Sequence, residues 1–305
     1  MRVAAGFPVD ALEFVRCPYD RAPMTFRAGN ESAYGVVEGS VTCEACLREF
    51  RLRDGILDLL QKEGDPFAAV EIAARDREAS EYEQRFAPAR NATEIPSTLR
   101  GLDLRDKVLL DLGCGTGRVT IRAGRYARLT LGIDYSVESL RYLASRLRPP
   151  LAGRIGLVLG DASKLHFNPR AFDIALSTQV IEHVRSTTSR LLLLREVANS
   201  LRKDGVFVYT IYHYSLLHRV LGLRREGKHP NGIYYRRFSA TEARREAQEA
   251  FSEVAVLPIQ IQAPLLTRSP SASELVSSFL ERVPLARSAA HLLRVTARSP
   301  RRSDG

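Results

Sequence analysis

The residues best suited to bind a ligand form a glycine-rich turn that follows an apolar run. Val108–Leu112 is short and apolar, and it leads directly into Gly113-Cys114-Gly115-Thr116-Gly117. Glycines permit backbone conformations that other residues resist, and they let a ligand lie against the main chain. A helix predicted to begin near Arg118 would offer free N–H groups to a carboxylate or phosphate. Taken alone, this turn is also compatible with a nicotinamide cofactor.

Acidic residues follow the next two apolar runs. Asp134 comes nineteen residues after Gly115, at the end of a second predicted strand, and Asp161-Ala162 follows the third. An acid at the carboxyl end of a strand can accept hydrogen bonds from both ribose hydroxyls of a nucleotide. The second acid is placed where a carboxylate can meet an adenine amino group.

Four segments in this order and spacing resemble those of the S-adenosylmethionine-dependent methyltransferases of class I. They are Asp111–Gly117, Asp134, Asp161-Ala162 and Glu182-His183-Val184. The likeness covers about residues 80–300 and is closest to the branch that includes the quinone-biosynthesis methyltransferases. It implies S-adenosylmethionine as the cofactor and a seven-stranded Rossmann-like α/β sheet, with helices on both faces and the last strand antiparallel.

The resemblance also implies which residues hold the cofactor. Asp111 and the glycines would hold its methionine part and Asp134 its ribose, while Thr178 and Gln179 would line the floor beneath the sulfonium. Tyr82 matches a helix that closes over the methionine end, and Cys114 is better suited to packing in the turn than to acting as a nucleophile. The full set is Tyr82, Asp111, Gly113, Cys114, Gly115, Gly117, Asp134, Tyr135, Asp161, Ala162, Thr178 and Gln179.

His183 is the candidate general base. Methyl transfer from a sulfonium is an in-line displacement, so the protein must align the acceptor, exclude water and remove a proton from an alcohol or phenol. His183 follows the fourth predicted strand, and an imidazole titrates near the working pH. The alternative is that Glu182-His183-Val184 is a structural hydrogen-bonding element. Tyr212, His213 and Tyr214 could line the acceptor pocket or simply pack a lid.

Three cysteines near the N-terminus have the spacing of a metal site. Cys43 and Cys46 are separated by two residues, and Cys17 lies on a separate predicted loop, which suits tetrahedral zinc. This segment resembles the small zinc-ribbon proteins that activate tRNA methyltransferases. That resemblance implies Asp20 as the fourth ligand, where zinc-binding relatives have cysteine. The alternative is a metal-free β-module that holds three reduced thiols.

The alternation of apolar and polar stretches divides the chain into zones. Residues 12–60 predict the β-rich zinc-ribbon-like module, and residues 61–106 predict a helical linker that covers the cofactor. Residues 107–298 alternate short apolar strands with helices, as in a parallel α/β sheet, and carry predicted cap insertions at 213–237 and 260–290. A helix over Thr188–Arg202 and a capping box at Ser239 and Glu242 are also predicted. Residues 299–305 predict a disordered tail.

Composition limits the classes of protein that the chain can form. Its 45% hydrophobic and 26% charged residues are ordinary for a globular protein, and no apolar run is long enough to span a membrane. The N-terminus has no apolar leader, so we expect a cytoplasmic enzyme. Residues 1–100 carry a net charge of −4, and the two following thirds carry +6 and +8. That basic part could attract RNA, but the near absence of Lys among the basic residues points to codon bias instead.

The sequence therefore favours one function and leaves two alternatives open. The favoured one is methyl transfer to a small organic acceptor, such as a secondary metabolite, lipid or sugar precursor, most readily at oxygen. One alternative is an rRNA or tRNA methyltransferase, although no base-methylation motif is present. The other is a catalytically silent cofactor-binding protein that activates a partner. The oligomeric state cannot be read from the sequence.

Overall fold

A mixed β-sheet forms the centre of the molecule in a computed structural model that describes residues 5–61, 66–79, 81, 88–261, 270–283 and 286–301. Its strands and those of two small pairs are β1 (Val15–Arg16), β2 (Met24–Ser32), β3 (Gly35–Cys43), β4 (Glu49–Arg53), β5 (Ile56–Asp58), β6 (Val108–Leu112), β7 (Leu129–Asp134), β8 (Ile155–Leu159), β9 (His166–Phe167), β10 (Phe172–Thr178), β11 (Leu201–Tyr212), β12 (Glu226–Lys228), β13 (Tyr234–Arg236), β14 (Phe251–Ile259) and β15 (Leu292–Pro300). The α-helices of the described residues are α1 (Pro66–Glu78), α2 (Pro88–Leu99), α3 (Thr120–Gly124), α4 (Val137–Arg146), α5 (Thr187–Ser200), α6 (Leu216–Val220), α7 (Ala240–Gln248) and α8 (Pro270–Leu280).

Seven strands form the α/β sheet that the sequence predicts. Their order is β8-β7-β6-β10-β11-β15-β14, and the first five strands in this order are parallel to one another. The last strand of the chain, β15, runs antiparallel to both β11 and β14. The predicted fold class and the antiparallel last strand are confirmed. Each parallel strand ends at the same sheet edge, where the predicted site residues follow.

The N-terminal strands continue the same sheet and do not form a body of their own. β5 pairs in parallel with β8, with Leu57 opposite Val158, and β4, β3 and β2 follow in antiparallel order. Phe14 packs against Phe172 with ring centroids 5.5 Å apart, so the segment and the sheet share one core. The sequence analysis predicted a module that precedes the sheet, whereas the structure joins the two, since β5 pairs with the otherwise open edge of β8.

Successive side chains of the central strands pack on opposite faces of the sheet, in two different hydrophobic clusters. Leu110 of β6 and Phe207 of β11 belong to the cluster that includes α5, α7 and the N-terminal segment. Their neighbours Leu109 and Val208 pack on the opposite face with α3. Successive side chains of a strand point to opposite faces, so a fully apolar strand needs a helical layer on each side. The predicted helices on both faces are therefore present.

The helix boundaries follow local capping interactions. Ser186 accepts a hydrogen bond from Ser189 N and begins α5, and the predicted capping box of Ser239 and Glu242 begins α7. The helix predicted over Thr188–Arg202 ends earlier, at Ser200, because Leu201 is buried and pairs with Phe172 as the first residue of β11.

The two predicted cap insertions are placed differently. Residues 213–237 form α6 and the β12–β13 hairpin. The described part of 260–290 instead packs α8 on α2, where the buried Glu281 accepts a hydrogen bond from Ser97 and pairs with Arg100 at 3.0 Å. Ser299 and Pro300, predicted in the tail, belong to β15; residues 302–305 lie outside the described part. No helix among the described residues is long and apolar enough to cross a membrane.

Candidate active site

A cavity of about 480 Å³ lies at the carboxyl ends of the parallel strands. It is lined by nine of the twelve residues predicted to hold a cofactor and by the candidate base: Gly113, Cys114, Gly115, Asp134, Tyr135, Asp161, Ala162, Thr178, Gln179 and His183. Asp111 and Gly117 do not line it, and Tyr82 lies outside the described residues. The fold therefore brings most of the predicted set to one place.

The three glycines of the turn have positive φ angles for different reasons. A Cβ on Gly113 would lie 2.2 Å from Val180, and a Cβ on Gly117 would lie 2.2 Å from Leu143 of α4. A Cβ on Gly115 would meet no protein atom within 4 Å, although its φ is +52°. Gly117 thus packs the turn against α4, and its predicted contact with the ligand stays a prediction. Gly115 is the position where the main chain is open to the cavity.

Asp111 lies behind the turn, not in the cavity. Its side chain is buried, and Thr120 donates a 2.6 Å hydrogen bond to Oδ2. Burial raises the pKa of Asp111 to about 7. This hydrogen bond links the end of β6 to the start of α3, whereas Oδ1 is buried without a hydrogen-bond partner among the described residues. Contact of Asp111 with the methionine part stays a prediction.

Asp134 connects the end of β7 to the glycine turn. Its Oδ2 accepts a 2.8 Å hydrogen bond from the backbone N–H of Gly115, and Oδ1 accepts one of 2.9 Å from that of Ser136. Burial raises the pKa of Asp134, and these backbone hydrogen bonds oppose the shift. Each carboxylate oxygen has a second lone pair, so the group can still accept hydroxyl donors.

Asp161 and Ala162 form the neighbouring wall of the cavity. Asp161 Oδ1 accepts hydrogen bonds from the backbone N–H and the hydroxyl of Ser163, at 2.9 and 2.7 Å. These bonds fix the carboxyl group, and Oδ2 lies 3.9 Å from Lys164 Nζ. A fixed carboxylate of this kind suits an amino group of a ligand base.

The floor of the cavity contains a strained residue. Gln179 has a φ of +56°, and its side-chain amide donates a 2.6 Å hydrogen bond to the buried carboxylate of Glu94 on α2. Glu94 also accepts a 2.6 Å charged hydrogen bond from Arg118, which follows the glycine turn. The sequence does not single out Glu94, because its burial and its two partners depend on how α2 packs against Arg118 and Gln179.

Helix α1 covers the cavity, and Glu71, Ile72 and Arg75 line it. Asp76 accepts a 2.6 Å hydrogen bond from the hydroxyl of Ser136. Glu78 accepts one of 3.1 Å from the side-chain amide of Asn231. The sequence predicts a helix over the cofactor within residues 61–106, with Tyr82 as the residue that contacts it. Tyr82 lies outside the described residues, and Arg75 of α1 lines the cavity. Its positive charge acts on Asp134 and His183.

His183 ends a 3₁₀ turn after β10 and lines the cavity. Its Nδ1 lies 2.6 Å from the carbonyl oxygen of Tyr234, which can only accept, so Nδ1 carries the proton and Nε2 the lone pair. Burial, with a smaller effect from Arg75, lowers the pKa of His183 to about 3. The imidazole is therefore neutral at physiological pH.

The other aromatic candidates stand back from the cavity. The ring of Tyr212 contacts that of His183 edge to face at 5.9 Å. His213 is buried with Nδ1 3.0 Å from the carbonyl oxygen of Ala290, and burial lowers its pKa to about 4. Neither residue lines the cavity, and neither does Tyr214.

Comparison with known proteins agrees with the geometry. Residues 110–209, a third of the chain, match the family described as methyltransferase domain. This match covers the glycine turn, both acids and His183, on a sheet with the strand order given above. The chain carries a class I methyltransferase domain.

Individual relatives resemble this methyltransferase domain over part of their length. A methyltransferase-named protein of Encephalitozoon cuniculi is 30% identical over 35% of this chain and 46% of its own length. The carboxy-S-adenosyl-L-methionine synthase of Sulfurimonas denitrificans is 28% identical over 37% of this chain and 49% of its own. The chain thus spans about half the length of the curated relatives it matches.

Solved structures share the fold of the methyltransferase domain. Phosphoethanolamine N-methyltransferase 2 of Haemonchus contortus, in complex with S-adenosyl-L-methionine, aligns with a TM-score of 0.55 and 18% identity over 79% of this chain and 62% of its own. A chain from the complex between the Trm112 methyltransferase activator and a methyltransferase of Haloferax volcanii aligns with a TM-score of 0.52 and 19% identity, over 79% of this chain and 100% of its own.

The four predicted metal ligands come together where the turn after β1 meets the turn between β3 and β4. The ligand atoms of Cys17, Asp20, Cys43 and Cys46 all lie within 4.8 Å of one another. The sulfur atoms of Cys17 and Cys46 are 3.8 Å apart, which equals the separation of about 3.8 Å that tetrahedral zinc imposes on two sulfurs bound at ~2.3 Å. Backbone N–H groups of Ala45 and Cys46 donate to Cys43 Sγ, each at 3.4 Å. The residues present therefore fit a zinc ion.

Proposed function

We propose that this protein transfers the methyl group of S-adenosylmethionine to a small organic acceptor, most readily at an oxygen atom. One observation carries the proposal: α1 lines the cavity with Glu71, Ile72 and Arg75, and it is hydrogen-bonded both to Ser136 after β7 and to Asn231 in the first cap insertion. A nucleic acid would need this cover to open, whereas a small molecule can be enclosed beneath it. A secondary metabolite, a lipid or a sugar precursor would suit such a site.

The lining residues supply the contacts that the cofactor requires. Gly115 would let the methionine part approach the main chain, Asp134 would accept the ribose hydroxyls, and Asp161 would face the adenine. Thr178 and Gln179 would form the floor near the sulfonium. When bound, S-adenosylmethionine supplies an activated methyl group, so the chain's main task is to align the acceptor and exclude water.

We assign His183 to the acceptor hydroxyl. Its Nδ1–H is held by Tyr234, which leaves the Nε2 lone pair to accept a hydrogen bond and orient the hydroxyl oxygen. A pKa of about 3 makes the imidazole a weak base for an unreacted alcohol. Nε2 would take the hydroxyl proton late, when the oxygen has largely formed its bond to the methyl carbon and the bond from that carbon to sulfur is breaking, because the oxygen is then far more acidic.

We further propose that Cys17, Asp20, Cys43 and Cys46 bind one structural zinc ion. The support is their mutual distance and the backbone donors to Cys43, which stabilise a thiolate. The ion would hold the turn after β1 against the β3–β4 turn. It would lie away from the cavity and would take no part in the transfer.

Two other functions remain as alternatives. The basic C-terminal two-thirds would favour an RNA methyltransferase, and the N-terminal extension would favour a protein that activates a partner. Incubation with methyl-labelled S-adenosylmethionine, in parallel with a metabolite extract and with total RNA, separates the three. We expect label in small molecules that depends on active protein. Stoichiometric label on one RNA species would overturn the proposal, and cofactor binding without label in either pool would favour the activator.

A further inference from the structure

The first cap insertion exposes a cluster of apolar side chains. Five large apolar residues within eight positions are each 45% to 76% exposed: Leu216, Leu217, Val220, Leu221 and Leu223. We call these five residues the apolar patch. Isolated exposed apolar residues are ordinary, but a contiguous group on a protein surface marks a contact with another apolar phase.

The core of the described residues does not explain the apolar patch. Ser215 accepts a hydrogen bond from His218 N and begins α6, so the segment has a defined local structure. Nevertheless, no residue of α6 is buried. The helix lies against the 3₁₀ turn Ala286–Ala289, but it contributes no buried side chain to the core of the described residues.

The charge around the patch is strongly positive. Residues 213–237 contain six Lys or Arg residues and a single acid, Glu226, which is already paired with Arg236. Arg219 and Arg224 are exposed and lie within or directly after the patch. Arg219 also stands over the ring of Tyr214 at 5.5 Å. The surface thus combines exposed leucine and valine side chains with guanidinium groups.

We propose that the segment 215–225 docks on an anionic lipid bilayer. Apolar side chains of a short helix can enter the interface between headgroups and acyl chains, while neighbouring guanidiniums bind lipid phosphates. RNA would satisfy the arginines but leave the apolar patch in water. A second copy of the chain would place two equally basic surfaces against each other, which opposes association. The combination of apolar and positive groups therefore favours a membrane surface.

Docking would also orient the cavity. The β12–β13 hairpin belongs to the same insertion, and its Tyr234 carbonyl holds His183 at the cavity wall. The cavity would then lie close to the bilayer, which suits an acceptor that is dissolved in the bilayer. This consequence rests on the proposed function, whereas the proposed docking surface does not.

Vesicle sedimentation of the full-length protein tests the proposal. The vesicles are pure phosphatidylcholine, or phosphatidylcholine with about one third phosphatidylglycerol. We expect binding to the anionic vesicles that weakens with salt, since attraction between basic side chains and anionic headgroups is screened. Val220→Ser combined with Leu221→Ser should lower the affinity on the order of tenfold or more. Arg219→Gln combined with Arg224→Gln should also lower the affinity for anionic vesicles, by on the order of fivefold for each residue.

Matched variants keep the result interpretable. Leu192→Ser removes an exposed apolar side chain of α5, and Arg122→Gln with Arg125→Gln removes two exposed charges of another region; both should bind vesicles as the parent protein does. Binding of S-adenosylmethionine by calorimetry should be unchanged in every variant, which separates this surface from the proposed function. Equal vesicle binding by parent and patch variants would overturn the proposal. So would a patch-dependent dimer in light scattering, or patch-dependent binding to RNA without vesicle binding.

Discussion

The side-chain amide of Gln179 donates a 2.6 Å hydrogen bond to the buried carboxylate of Glu94, which also accepts one from Arg118. Three elements meet in this contact: α2, the residue after the glycine turn, and the loop that follows β10. Gln179 holds a φ of +56°, in a region that non-glycine residues seldom occupy. The Glu94 carboxylate is thus a positioning group for the cavity floor.

Replacing Glu94 with Gln should destabilise the protein and weaken cofactor binding. The new amide would present an N–H group toward one of two donors, Gln179 or Arg118, and leave it unpaired. We expect a loss of about 2–4 kcal/mol in the free energy of unfolding, measured in urea. Glu138→Gln is the control, because its pair with Arg141 is half-exposed and should cost less than about 0.5 kcal/mol. Equal effects of the two substitutions would contradict the role assigned to Glu94.

Two glycines of the turn should respond differently to substitution. Gly113→Ala would place a Cβ 2.2 Å from Val180 and should reduce the folded fraction seen by circular dichroism. Gly115→Ala would meet no protein atom within 4 Å and should fold with a cost of about 1–2 kcal/mol for its positive φ. It should nonetheless lose S-adenosylmethionine binding in calorimetry, because its methyl group would stand in the ligand space. A Gly115→Ala protein with parental affinity would place the ligand elsewhere.

Asp134→Ala should weaken cofactor binding by about 1–3 kcal/mol, because the ribose hydroxyls would lose their acceptor. The backbone N–H groups of Gly115 and Ser136 would lose theirs too, so a thermal unfolding scan must accompany the calorimetry. Asp103→Ala is the control, since Asp103 is exposed and pairs only locally with Arg105. If both variants bind the cofactor alike, Asp134 has no part in the ribose site.

Sequence alone predicts the elements whose residues carry a local pattern. The glycine turn, Asp134 and Asp161 each follow a short buried strand, and apolar runs of that length between turn residues are strong signals. The capping box at Ser239 and Glu242 is equally local. These features are correct in the structure because neighbours in sequence determine them.

Contacts between distant segments explain the rest. β5 has three residues, and its parallel pairing with β8 depends on an edge formed a hundred positions later. Arg75 lies in a helix with little segregation of polar and apolar residues, so its approach to Asp134 depends on how α1 packs. The contacts of Asp111 with Thr120 and of Gly117 with Leu143 likewise join different elements, and the local pattern of the turn does not predict them.

The proposed zinc site predicts metal in the purified protein. Preparation under reducing, chelator-free conditions should give close to one zinc per chain by elemental analysis. Cys43→Ser should release it, because Cys43 supplies one of the four ligand atoms that lie within 4.8 Å of one another, while Cys114→Ser should retain it. Asp20→Cys should bind zinc more tightly, since a thiolate replaces a carboxylate. Protein that contains no zinc and unfolds at the same temperature with and without chelator would instead support the metal-free module.

The low pKa of His183 predicts a pH dependence of stability. The unfolded chain protonates this imidazole near pH 6.5, whereas the folded protein does so only near pH 3. The contribution of His183 to the free energy of unfolding is therefore complete above pH 6.5. It is lost as the pH falls toward 3, at up to ~1.4 kcal/mol per pH unit.

Urea unfolding of the parent and of His183→Asn checks this. Between pH 7 and pH 4.5, the parent should lose about 1–3 kcal/mol more of its unfolding free energy than His183→Asn, whose amide nitrogen can still donate to the Tyr234 carbonyl. Parallel curves for the parent and His183→Asn would mean that His183 titrates near its ordinary pKa and is free to act as a conventional general base.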